Sequence, residues 1–195
     1  MLTADSVQKF SDDAIFSFES SGLVVSPKGN SSQKADGVHF PITDITLGAS
    51  KYAGLAPATV KGSSSGSALE IWTYDELTGN KIGLTLANFQ IDYHAKKVLA
   101  DVTPIGGTTS KATPLYDYTV KRPLVFQQVP GKIVLQEVLG TLKLTPLMQD
   151  TFTRVLHLPD YASVLLPVID FGTLTQTIDL TLRATVNAAP YAPAP

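Results

Sequence analysis

The chain contains no cysteine. That absence excludes disulfides, thiolate zinc sites and cysteine nucleophiles together. It carries no structural penalty, because a chain of 195 residues buries roughly 70% of its unfolded surface and needs no covalent staple. Charge is also scarce. Asp, Glu, Lys and Arg make up 16% of the residues, against roughly 25% in ordinary soluble domains, which leaves a surface weakly defended against self-association. The formal net charge is −2, and both signs are scattered. With no basic stripe to follow a phosphate backbone, nucleic acid is not expected as a partner. No apolar run reaches the length of a membrane span, so no transmembrane segment is expected. No signal peptide is visible at Met1-Leu2-Thr3-Ala4-Asp5, which fits either a start placed on a processed chain or a native start.

What the chain has is hydrophobic residues at 44%, many Thr and Ser, and repeated short alternations bounded by Gly, Pro and Asn. This patterning predicts an all-β fold, an antiparallel β-sandwich of immunoglobulin-like or similar type with one or two short helices. Strands are expected at Ala14–Glu19, where Phe16 and Phe18 alternate, at Leu23–Pro27, at Val38–Ile42 and at Ala68–Tyr74. Ile82–Tyr93 alternates with a change of phase near Ala87-Asn88, the mark of a bulge. Val98–Val102, Leu115–Val120, Leu124–Val129 and Ile133–Leu144 follow. Helices are expected over 3–11, capped by Thr3, and over 146–156, where Thr145 precedes Pro146 and Leu147, Phe152, Val155 and Leu156 form one face. From Thr173 to Val186, Leu174, Ile178, Leu180, Leu182, Ala184 and Val186 share one face and Thr residues dominate the other. Such a strand would span roughly 46 Å. One β-rich domain over 1–195 is expected. Residues 1–20 read as an extension or exchanged segment, and Pro-rich residues 187–195 as an extended tail.

Catalytic constellations are lacking. His39, His94 and His157 fall on a strand, a turn and a helix end without ligand spacing, and His157 reads as a helix C-terminal residue. Asp12-Asp13 and Asp75-Glu76 read as solvated turns, since a calcium loop needs more oxygens in tight register. Gly106-Gly107 lacks the lysine of a phosphate loop, and Ser63–Ser67 has no nucleophile-elbow frame. No enzyme, no metal and no catalytic residue is therefore expected. Aromatic residues on strands remain: Trp72, Tyr74, Tyr93, Tyr116 and Tyr118. A tyrosine row suits cross-strand packing, or the binding of a flat ligand, a sugar or haem iron.

Several phrases, taken in order over residues 20–158, resemble secreted bacterial β-proteins of the HtaA-domain type. They include Gly22-Leu23-Val24-Val25-Ser26-Pro27, Val38-His39-Phe40-Pro41-Ile42-Thr43 and Gly66-Ser67-Ala68-Leu69. Leu84-Thr85-Leu86-Ala87-Asn88-Phe89-Gln90-Ile91-Asp92, Val98-Leu99-Ala100-Asp101-Val102, Pro114-Leu115-Tyr116-Asp117-Tyr118 and Leu144-Thr145-Pro146 complete the series. The resemblance implies an exported, cell-surface β-sandwich, and a haem site in which a tyrosine is supported by a histidine. By residue type the ligand candidates are Tyr52, Tyr74, His94, Tyr116 and Tyr118. Two functions are weighed. The first is a non-enzymatic extracellular structural protein without cofactor, binding itself as a homopolymer or other surface components. It would assemble by β-strand addition through Phe16, Phe18, Leu174, Ile178, Leu180 and Leu182 into a fibre or biofilm matrix. The alternative is a surface-exposed module that binds haem or another hydrophobic ligand.

Overall fold

Residues 2–9 alternate Ala4, Ser6 and Gln8 inward, and a strand with polar inward residues does not announce itself by hydropathy. In the computed structural model, which describes residues 2–48 and 58–193, this segment is strand β1 (Leu2–Lys9) rather than the expected helix. The helix lies one step later, α1 (Asp12–Ser20), where a strand was expected. Its signals are local. The Ser11 side chain accepts from Ala14 N at 3.1 Å, Asp12 and Asp13 sit in the first turn, and Ala14 and Phe18 are buried four residues apart. At the far end Gly22 adopts φ +62°, and Leu23 N reaches back to Phe18 O, the glycine-terminated closure of a helix. The alternation of Phe16 and Phe18 misled because these two lie on different sides of a helix: Phe18 packs on Phe10 and Phe171, while Phe16 is exposed.

The remaining elements are β2 (Val24–Gly29), β3 (Ser32–Lys34), β4 (Gly37–Pro41), β5 (Asp44–Gly48), β6 (Ala58–Tyr74), β7 (Lys81–Asp92), β8 (Lys97–Pro104), β9 (Ser110–Val129), β10 (Lys132–Leu144), α2 (Pro146–Val155), α3 (Asp160–Leu165) and β11 (Thr173–Leu182). All-β, antiparallel and carrying a few short helices, the fold is of the expected class. Its layers come from one continuous sheet coiled on itself, in the order β2-β6-β7-β8-β9-β10-β11-β1-β4-β3, with β5 also on β6. The ends of that sheet meet through one segment. Ile42 N donates to Ala4 O at 3.0 Å, and the next residue, Thr43, donates to Ser63 O at 2.9 Å. Strand β4 thus pairs with β1, β5 pairs with β6, and two residues between them close the sheet into a nearly complete barrel.

Strand β11 is central, paired with β10 on one side and β1 on the other, and it spans Thr173–Leu182 rather than reaching Val186. Its inward residues show how the interior is layered. Ile178 lies in register with Ala4 and Leu135, Gln176 with Ser6 and Glu137, and Leu174 with Gln8 and Leu139. An apolar layer is therefore followed by a polar one. Gln176 is 2% exposed; its side-chain amide donates to Tyr93 OH at 2.7 Å and to Glu137 Oε2 at 3.0 Å, and Tyr93 OH donates to the same oxygen at 2.8 Å. Burial raises the Glu137 pKa, partly offset by the Tyr93 hydrogen bond. Below this layer the larger core gathers Leu84, Leu115, Leu144 and Phe171 around Met148 and Phe152 of α2. Helix α2 forms where the Thr145-Pro146 start predicts it, although the Thr145 hydroxyl turns to Pro114 O at 2.6 Å instead of capping its own helix.

Replacing Gln176 with Leu makes the β11 face continuously apolar yet strands the buried partners of its amide. We expect Gln176→Leu to destabilise the fold by about 1–3 kcal/mol, measured by urea unfolding; equal or greater stability would show that the polar layer is not a satisfied network.

Candidate functional site

The barrel interior is too small to hold a large ligand. Its cavity, lined by Ser6, Gln8, Ser64, Tyr116 and Gln176 among others, is about 30 Å³, room for a water or two. Tyr116 accepts from Gln8 Nε2 at 3.4 Å and burial pushes its phenol up to about 12. Tyr118 is buried as well and its pKa is also raised, by burial and by the negative charges of Glu137 and Asp92. Both are therefore core phenols held neutral. His94 lies in the turn after β7, its N–H donating to Asp92 Oδ1. Tyr74 ends β6 beside Lys81, at the opposite end of β7, roughly 35 Å away along the sheet. The structure brings Tyr74 and His94 to different places. Tyr52 lies outside the described residues.

Tyr74 does line a cleft, and its neighbour there is a histidine. The turn after β6 is folded by Asp75, whose Oδ1 accepts from Leu77 N, from Thr78 N at 2.7 Å and from Thr78 Oγ1 at 2.7 Å. Its other oxygen, Oδ2, lies 2.6 Å from His157 Nδ1. The Thr78 hydroxyl, His157 and the Thr78 N–H hold the Asp75 carboxyl down at about 2. An ionised carboxylate only accepts, so Nδ1 carries a proton and Nε2 is the nitrogen turned away from the carboxylate. Among the described residues Nε2 has no hydrogen-bond partner, and the ring is more than half exposed. His157 follows the last turn of α2 with φ +49°, a left-handed conformation that most side chains avoid. This backbone posture and the Asp75 bond together fix the direction of the ring.

The cleft around this pair is about 410 Å³, walled by Tyr74, Leu77, Ile82, Leu158 and Tyr161. It adjoins a second, mostly apolar cleft of about 490 Å³ between α1 and α3, lined by Phe16, Leu165 and Val168. Ser20, Ser21 and Tyr161 border both. Tyr74 and Tyr161 are 61% and 62% exposed and Leu77 is 96% exposed. Apolar and aromatic groups of this size left in solvent around a concavity mark a binding surface. Sequence reading missed His157, Asp75 and Tyr161 as a group. Asp75 and His157 are 82 positions apart, and the only local signal was a histidine just past a helix end.

His39 is a different case. It is buried with Nδ1 2.5 Å from Asp5 Oδ2 and Nε2 2.8 Å from Asp36 Oδ1, so both nitrogens are used. Burial works to lower its pKa and is outweighed by the Asp36 and Asp5 hydrogen bonds, which leave it raised. It ties β4 to β1 and leaves no lone pair for a ligand. Among the described residues no cluster of three His, Asp or Glu side chains is arranged to hold a metal.

No protein-family model matches the chain, and no curated protein matches it in sequence. Two solved structures match in shape. The C-terminal domain of HtaA from Corynebacterium glutamicum aligns over 92% of this chain and 98% of its own, at 15% identity and a TM-score of 0.50. The heme binding protein HtaB from the same organism aligns over 92% of this chain and 94% of its own, at 10% identity and a TM-score of 0.53. The chain has the HtaA-type fold. That likeness corrects the expectation of a cofactor-free, self-assembling fibre or matrix subunit: the folds that match include a heme binding protein and no filament subunit. The placement of residues agrees with the correction. Phe18, Leu174 and Ile178, read as assembly residues, are buried in the chain's own core, and β11 and β1 are already paired on both sides. Leu182 is exposed just beyond the core. No helix among the described residues is long and apolar enough to cross a membrane.

The depressed Asp75 pKa sets the pH range of the His157 orientation. A lowered folded-state pKa stabilises the folded arrangement fully above the unfolded carboxylate value of about 3.9 and loses that contribution as pH falls through about 2. We expect amide exchange at Leu77 and Thr78 to quicken as pH is lowered from 4 towards 2, beyond the intrinsic pH trend; exchange that tracks free peptide throughout would show that Asp75 does not hold the turn.

Proposed function

We propose that the chain is a non-enzymatic haem-binding module of an exported, cell-surface bacterial protein, and that the trough beside His157 is its haem site. The observation that carries this reading is the Asp75–His157 pair. A carboxylate on Nδ1 fixes the ring's orientation and aims Nε2 outward, the arrangement by which proteins prepare a histidine for a metal. When bound, haem would supply an iron that takes imidazole nitrogen or tyrosine oxygen as ligand. Here His157 would face the iron, with Tyr74 and Tyr161 as the flanking phenols, and Leu77, Phe16, Leu165 and Val168 offer apolar surface to a flat ring. The donor set and the two adjoining clefts fit the group in kind and in size. The likeness in fold to HtaB, and the ordered motifs over residues 20–158, support the same assignment. Of the tyrosines singled out from sequence, Tyr74 is the one among the described residues that lines the same cleft as His157, and in this reading the donor histidine would be His157 and not His94.

The test is titration with haemin followed in the Soret region. The unaltered chain is expected to bind one equivalent with a shifted band. His157→Ala should change the band position as well as weaken binding, and Asp75→Asn should weaken it about 10- to 100-fold while keeping the ligand. His94→Ala should be silent. A Soret spectrum and affinity unchanged in His157→Ala would remove His157 from the site, and transfer of the loss to Tyr161→Phe or Tyr74→Phe would make a phenol the donor.

A further inference from the structure

A second group of buried polar contacts lies at the sheet's bulge, apart from the residues of the His157 cleft. The phase change near Ala87-Asn88 is real: the pairing of β7 with β8 shifts between Ala87 and Gln90, and that of β6 with β7 between Ser64 and Ala68. Asn88 (φ +54°) and Gly66 (φ +78°) both take left-handed backbone there. Asn88 is only 6% exposed, so its amide must be satisfied within the protein. Oδ1 accepts from Gly66 N at 3.0 Å and from Tyr191 N at 2.7 Å, and Nδ2 donates to Asp101 Oδ2 at 2.9 Å and to Tyr191 O at 3.0 Å. All four bonding positions of the amide are filled, and two of them go to the N–H and C=O of a single residue of the Pro-rich tail. That is the two-point contact of an antiparallel strand pair, made by a side chain.

A second contact lies four residues back along the tail, where Asn30 Nδ2 donates to Asn187 O at 2.7 Å. Glycines clear the path between the two. A Cβ on Gly66 would stand 2.9 Å from Ala189 O and 3.0 Å from Asn187 O, and one on Gly29 would stand 2.8 Å from the Tyr191 ring. Pro190, between the contacts, has no N–H to leave unpaired and keeps the segment extended. We infer that Asn88, Asn30, Gly66 and Gly29 form a peptide-binding slot for an extended proline-rich segment with an Asn-x-x-Pro-Tyr pattern, and that residues 187–191 of the chain fill it in cis. The slot reads main chain at two points and one aromatic ring, so its ligand class is a proline-rich peptide. The tethered tail holds off competing peptides because a short linker presents it at millimolar effective concentration.

The experiment uses the full chain and a fluorescein-labelled synthetic peptide, Val-Asn-Ala-Ala-Pro-Tyr-Ala-Pro, with binding followed by anisotropy. In a variant whose own tail is released (Asn187→Gly, Pro190→Gly, Tyr191→Gly), the peptide should bind saturably. In the unaltered chain its apparent affinity should be at least about 10-fold weaker, through competition with the tail. Adding Asn88→Ala to the released variant should abolish binding, and adding Asn30→Ala should weaken it. A peptide with Ala at the Pro and Tyr positions should not bind. Hydrogen exchange on the unaltered chain gives a reading that depends on no variant folding: the Tyr191 amide should be protected. An unprotected Tyr191 amide, no binding by the released variant at millimolar peptide, or equal binding of the Ala-substituted peptide would each overturn the inference. None of these readouts involves haem.

Discussion

Ile42 and Thr43 are neighbours in the chain, yet their N–H groups bond to opposite ends of the sheet, to Ala4 and to Ser63. Everything else in the architecture follows from that seam. A sheet of this many strands would otherwise expose two long edges to pairing with other chains. Because β4 and β5 share one segment, the edges are brought together, and Arg183 reinforces the join by donating to Ala4 O and Ile42 O. Closure also forces side chains to fill the inside, which leaves a cavity of about 30 Å³. The larger clefts described lie on the outside of the barrel, among helices and turns.

The cleft beside His157, proposed above as a haem site, is such a place. Asp75 acts twice there: one carboxylate oxygen folds the turn between β6 and β7, and the other orients His157 at the end of α2. One residue thus links a hairpin turn to a helix terminus and makes the direction of the imidazole a property of the fold. Helices α1 and α3 supply the apolar walls with residues that their own packing leaves outward, Phe16 on one and Leu165 on the other. The same logic governs the bulge at Asn88. An irregularity in the ladder leaves main-chain groups without strand partners, and a buried side-chain amide takes their place and holds the tail as well.

Much of this was legible in the sequence wherever the signal was local. Alternating strands, the Thr145-Pro146 start of α2 and the phase change at Ala87-Asn88 are present as expected, because each depends on neighbours within a few residues. The ordered phrases from Gly22 to Pro146 pointed to the fold that the shape comparison confirms. Residues 2–20 were misassigned because polar inward residues, Ser6 and Gln8, hid a strand, and two phenylalanines two apart imitated one. The helix signals at Ser11, Asp12, Asp13 and Gly22 were there to be read.

By itself, then, the sequence determined an all-β antiparallel chain without cysteine and with few charges, since composition and short-range periodicity carry those properties. The tertiary structure alone decided which tyrosines face solvent, because Tyr116 and Tyr74 both sit on strands and only closure of the barrel puts one inside and the other in a cleft. It alone joined Asp75 to His157 and Asn88 to Tyr191, pairs separated by 82 and 103 positions. It also turned the Thr-faced strand at 173–182 from a free edge into the centre of the sheet. Contacts between distant segments depend on how the whole sheet coils, and no local pattern of residues records that.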